Sequence, residues 1–121
     1  VINIGIVDSL GLPYVVPLNY GYEHINDNAI IYLHSAKEGK KTDILKNKPN
    51  VFIEMSTWYE AIMGINDKPC SYSYKYLSVM GRGIVSFIYD YNEKEFALNK
   101  IINHIGKNNN EYSFPSESLD M

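Results

Sequence analysis

The chain has 121 residues, a formal net charge of −3 and a single cysteine, Cys70. That length suits one domain with its own core and is too short to enclose a large ligand, so a cofactor is expected at its edge. The acidic balance supplies no basic field for sequence-blind nucleic-acid binding, and one cysteine excludes an intrachain disulfide and any multi-cysteine zinc or iron–sulfur site, which fits a reducing cytoplasm.

Residues 1–7 are apolar and partly β-branched, lack the basic flank of a signal peptide, and read as a strand. No apolar run reaches the roughly eighteen residues of a membrane span, so no membrane association is expected. The chain opens inside this apolar run and closes on a polar tail, from which flanking segments are expected outside it. Asp8-Ser9-Leu10-Gly11 is a turn, and residues 12–22 return as the second strand of an antiparallel hairpin. Pro13 and Pro17 cannot donate to a ladder, so this strand lies at an edge or is interrupted near Pro17. An interruption frees backbone groups around Pro17, Leu18 and Asn19 for a ligand; a plain edge strand is the alternative.

A turn over residues 23–28 leads to a strand over residues 29–34. Ser35-Ala36-Lys37-Glu38 has the spacing of a capping box, predicting a helix from Ala36 to Asn47 that Pro49 terminates. Helix starts present free N–H groups and a partial positive charge, and Lys37, Lys40 and Lys41 add formal charge there, which suits a phosphate. Lysines on a solvated helix face are the alternative. Residues 51–57 read as a strand, residues 58–71 as a long loop, and residues 72–88 as a long strand with Tyr72, Tyr74, Tyr76, Ser78 and Met80 on one face. Gly81 and Gly83 suggest a bend or bulge. The clearest helix runs from Asn92 to Ile105, capped by Asn92-x-x-Glu95, striped by Ala97, Leu98, Ile101, Ile102 and Ile105, and stopped by Gly106. Residues 108–121 read as a polar surface tail.

The sum is a mainly β protein with two helices: a curved antiparallel sheet or small barrel. Eleven tyrosines against one tryptophan suit half-buried strands, interfaces and stacking on flat ligands. His24, His34 and His104 have no paired spacing, so no metal site is expected. Cys70 has no nearby histidine and no Gly-x-Ser-x-Gly is present, so no nucleophile is identified and the catalytic residues stay unassigned. Any hard step would fall to a borrowed cofactor.

Pro17-Leu18-Asn19-Tyr20, the segment from Ile31 to Lys41, Asn47-x-Pro49-x-Val51 and Tyr76-Leu77-Ser78-Val79-x-Gly81 together resemble the 5-nitroimidazole resistance (Nim) proteins, of the pyridoxamine 5′-phosphate oxidase-like FMN-binding split barrels. The resemblance spans residues 5–90 in order and spacing. It implies an antiparallel split β-barrel over residues 1–121, a homodimer with a flavin in each of two clefts between subunits, and a flavin-dependent reductase of nitroimidazoles or other small aromatic compounds. It implies that His34, Ser35, Ala36, Lys37, Gly39, Lys40 and Lys41 hold the phosphate. By the same correspondence Pro17, Leu18, Asn19 and Tyr20 line the isoalloxazine, and Tyr76, Ser78 and Val79 reach it from the long strand. FAD is an alternative to FMN; a non-catalytic flavin or haem holder, with His34 as haem ligand, is the alternative function. The family's N-terminal helix and final strand have no counterpart here.

Overall fold

The computed structural model of the chain describes residues 1–115. Its elements are β1 (Ile2–Val7), β2 (Pro13–Leu18), β3 (Tyr20–Ile25), β4 (Asn28–Leu33), α1 (Lys40–Asn47), β5 (Asn50–Ile62), a 3-10 turn (Pro69–Ser71), β6 (Ser73–Ile84) and α2 (Tyr91–Gly106). The strands form antiparallel sheets: a four-stranded sheet in the order β2-β1-β5-β6, and a two-stranded ribbon of β3 and β4. The architecture is thus mainly β with two helices.

Strand β1 organises the core. Ile2, Ile4 and Ile6 alternate onto one face and are fully buried, with Leu45 of α1 and Val51 of β5 packed on them. Asn3, on the other face, donates through Nδ2 to Glu54 Oε2 of β5 at 3.0 Å. Strand β2 is an edge, which accommodates Pro13 and Pro17. It breaks at Asn19, where the chain leaves the large sheet and enters the β3–β4 ribbon, so the interruption expected near Pro17 is present two residues on.

Several expected boundaries are corrected. The turn placed over residues 23–28 is confined to Asn26 and Asp27, both with positive φ (49° and 65°), so β3 and β4 pair up to Ile25 and Asn28. Asn and Asp tolerate the left-handed conformation that such a two-residue turn requires. Helix α1 begins at Lys40, not Ala36. Gly39, at φ 142°, sits where essentially only glycine is found, and the Ser35 hydroxyl donates to the Ala36 carbonyl at 3.3 Å instead of capping. Strand β5 runs on to Ile62, because a bulge between Thr57 and Glu60 lets pairing with β6 resume beyond it. Trp58, at φ 63°, forms that bulge; Gly81 and Gly83 lie in regular pairing. Strand β6 ends at Ile84, not Ile88.

The cap of α2 is Asp90, whose Oδ2 accepts from the Glu93 amide at 3.0 Å, and Asn92 lies inside the first turn. Gly106 is the last helical residue, and Lys107 in the left-handed conformation makes the stop. The tail lies on the surface as expected as far as it is described, with residues 108–113 exposed and Asn110 and Tyr112 hydrogen-bonded along α2; residues 116–121 lie outside the described residues. Helix α2 packs on the β3–β4 ribbon through Ala97 and Ile101. No described helix is long and apolar enough to cross a membrane.

Candidate functional site

The break at Asn19 creates the site. Tyr20 pairs with Leu33, so the next residues outward, Asn19 and His34, leave the ribbon side by side. Together with Pro17 and Leu18 they form one wall of a groove of about 460 Å³, whose opposite wall is the apolar stripe of α2: Leu98, Ile101, Ile102 and Ile105, extended by Phe114. Three of the residues expected at the flat ring of a ligand, Pro17, Leu18 and Asn19, therefore share one cleft with His34, which was expected at the phosphate, while Tyr20 is not among the lining residues. Tyr20 stands behind it, its ring 4.4 Å from that of His104 on α2.

His34 lines the cleft as well. Its Nε2 is buried and has no hydrogen-bond partner among the described residues. Leaving such an atom unsatisfied costs about 1–3 kcal/mol. The rest of the lining is apolar apart from Asn19, so a guest would have a flat apolar body and a polar edge.

The lysine cluster lies elsewhere on the same frame. Lys40 and Lys41 are the first two residues of α1, and Lys37 lies in the segment before it. The Ala36 carbonyl accepts from Ser35 Oγ and from the buried Thr42 Oγ1, at 3.3 and 3.2 Å, folding this segment over the helix start. Among the described residues no side chain caps that start. Lys40 Nζ stands 4.8 Å from the ring centre of Tyr14 on β2, three residues upstream of Pro17 and so about 10 Å away along the strand. Lys40 thus shares β2 with the groove.

Tyr76, Ser78 and Val79 are on β6, outside the groove of their own chain. Tyr76 faces the bulge of β5 and is 59% exposed; Val79 is 60% exposed. Trp58, Tyr59, Tyr74, Leu77 and Met80 are exposed beside them, so both faces of the β5–β6 ribbon present apolar side chains. A surface of that kind is characteristic of an interaction site.

A second recess of about 390 Å³ is lined by Tyr32, Ile88, Asn92, Glu93 and Phe96. Tyr32 donates to Glu23 Oε2 at 2.8 Å, and burial, that hydrogen bond and the nearby carboxylates push its hydroxyl pKa up to about 12. Among the described residues no group of three or more His, Cys, Asp and Glu could hold a metal ion. The residues that sequence reasoning missed are the groove wall on α2 and Phe114. The stripe of α2 was visible as an apolar face without indicating what it faces, and Phe114 stood alone in a polar segment.

A family profile described as pyridoxamine 5′-phosphate oxidase matches residues 1–120. Among solved structures, a candidate 5-nitroimidazole antibiotic resistance protein from Bacteroides thetaiotaomicron VPI-5482 is 38% identical and superposes with a TM-score of 0.79. The alignment covers 98% of this chain and 66% of that one. No curated protein matches.

Proposed function

This chain belongs to the pyridoxamine 5′-phosphate oxidase family, and from that membership we propose that it is an FMN-dependent oxidoreductase, a nitro-group reductase working as a homodimer of split β-barrels. The observation that carries the reading is the cleft at Asn19, where Pro17, Leu18, Asn19 and His34 meet with the His34 Nε2 unpartnered. The likeness to a candidate nitroimidazole resistance protein supports the choice of substrate class.

The residues present fit a flavin mononucleotide. The phosphate would be held by the segment from His34 to Lys37 and by Gly39, Lys40 and Lys41, where backbone amides at the helix start and ammonium groups give short, charge-assisted bonds. Pro17, Leu18, Asn19 and Tyr20 would flank the ring. With Pro17 unable to donate and the ladder broken at Asn19, main-chain groups there are free to bind the polar edge of the ring, where they stabilise negative charge. Bound FMN supplies the redox chemistry; the chain orients it and shields one side from water with the aliphatic face of α2.

The homodimer places the exposed β5–β6 ribbon against its copy, bringing Tyr76, Ser78 and Val79 of one protomer towards the cleft of the other. Beyond its pairing with β1 the β5–β6 part of the sheet projects as two strands, and covering it with a copy removes its apolar faces from solvent. We read residues 1–121 as one domain of this kind. A haem holder without turnover is the second reading, favoured by the same free His34 Nε2.

Purified protein should be yellow and dimeric, release FMN on denaturation, bleach with NAD(P)H and recolour with a nitroimidazole. Flavin bound without recolouring would reduce the function to storage. A haem band that disappears in His34→Ala, with no flavin retained, would favour the second reading.

A further inference from the structure

After α2 the chain turns back along the helix through Lys107, at φ 52°. Two asparagines one turn apart on α2 receive it. Asn103 donates through Nδ2 to the Asn110 carbonyl at 2.7 Å and accepts at Oδ1 from the Asn110 amide at 3.1 Å. Asn99 treats Tyr112 in the same way, at 3.0 and 2.7 Å. Residues four apart on a helix are separated by about 6 Å along its axis, and two residues of extended chain cover about 6.6 Å. The two side-chain amides are therefore spaced to grip alternate residues of an extended segment, each satisfying both main-chain groups of one residue as a neighbouring strand would. Asn110 Nδ2 adds a bond to the Tyr112 hydroxyl at 3.1 Å. Two residues further on, Phe114 is half-buried and lines the groove opposite Pro17 and Asn19.

We propose that residues 108–114 form a strap whose register on Asn99 and Asn103 sets Phe114 as the outer wall of the groove, making Phe114 a specificity-determining residue for the flat aromatic group admitted there. Because the clamp reads main chain, the strap can loosen and re-seat without changing what it recognises, and Phe114 moves with it. A guest that touches Phe114 must then be coupled to the clamp in both directions: binding tightens the strap, and releasing the strap weakens binding. This rests on reading the groove as the flavin site.

The test combines FMN titration with hydrogen exchange of residues 107–115. In the unaltered dimer, exchange at the Asn110 and Tyr112 amides should be slow and should slow further with FMN. Asn99→Ala with Asn103→Ala should speed exchange and raise the Kd for FMN about tenfold, and Phe114→Ala should raise the Kd similarly, as truncating an aromatic anchor does. Phe114→Leu, which keeps an apolar wall, should recover most of the affinity. An unchanged Kd in the double-alanine or Phe114→Ala protein, with helix content preserved, overturns the strap. If the unaltered protein binds no FMN, the flavin reading fails on its own. The strap is then judged by anilinonaphthalene sulfonate, whose fluorescence should rise in both variants as the aliphatic face of α2 is uncovered, and an unchanged signal overturns it.

Discussion

A Cβ built on Gly21 would lie 2.6 Å from the backbone nitrogen of Ile101, so β3 and α2 meet main chain to main chain at this point. The obstruction is helix backbone and cannot swing aside. Gly21→Ala should therefore push α2 outward and lower stability by about 1–3 kcal/mol, the usual range for overpacking. Gly83→Ala is the control, since its Cβ would meet Val51 Cγ2 at 3.9 Å, an ordinary contact. Thermal unfolding should show a clear drop in Tm for the first and little for the second; equal drops would mean that the β3–α2 contact yields.

Lys41 is the second residue of α1, at its uncapped start. Lys41→Ala should weaken FMN by about 1 kcal/mol, a several-fold rise in Kd, and should flatten the dependence of Kd on salt, because one screened attraction is lost. Fluorescence titration at two ionic strengths measures both. An affinity indifferent to the substitution would move the phosphate away from this helix start.

Tyr32 titrates at about 12 in the fold against an ordinary value of 10.0, first from burial and then from its bond to Glu23. The protonated hydroxyl is the form the fold favours. Its contribution to stability is therefore complete below pH 10 and is lost as the pH rises through 12. A near-ultraviolet difference titration of the protein against Tyr32→Phe should isolate this late step, and Glu23→Gln should bring it to lower pH. A Tyr32 step near pH 10 in the unaltered protein would contradict the half-buried hydrogen bond to Glu23.

The ribbon of β5 and β6 exposes Tyr76 and Val79 to the same degree. Placing a carboxylate at each, Tyr76→Asp with Val79→Asp, should convert a dimer to a monomer in light-scattering measurements and release the flavin with it, since a charge desolvated at an apolar interface is costly. A variant that keeps its dimeric mass would locate the subunit contact elsewhere.

Asp90 receives the Glu93 amide at the start of α2, and Asp90→Ala should cost about 1 kcal/mol in chemical denaturation, while Asn92→Ala, inside the first turn, should cost less.

Much of the framework is local chemistry and was readable as such. The apolar, partly β-branched run over residues 1–7 determines a strand; Pro13 and Pro17 restrict β2 to an edge; the polar stretch before Asn28 determines that a turn precedes β4 but not where it begins; the stripe from Ala97 to Ile105 determines a helix. Each follows from groups within a few residues of one another, whose preferences act before any tertiary contact forms. The start of α1 was misread for the same reason: Ser35 and Glu38 have capping spacing, but the backbone at Gly39 and the pull of the Ala36 carbonyl on two hydroxyls outweigh it. Only the tertiary structure decided that Asn19 and His34 face α2 across a groove, that Trp58 takes up a bulge opposite Tyr76, and that Asn99 and Asn103 grip the returning chain. Those outcomes depend on register and on packing between residues far apart in sequence, where a shift of one position changes which side chains meet, and composition and spacing carry no record of that choice.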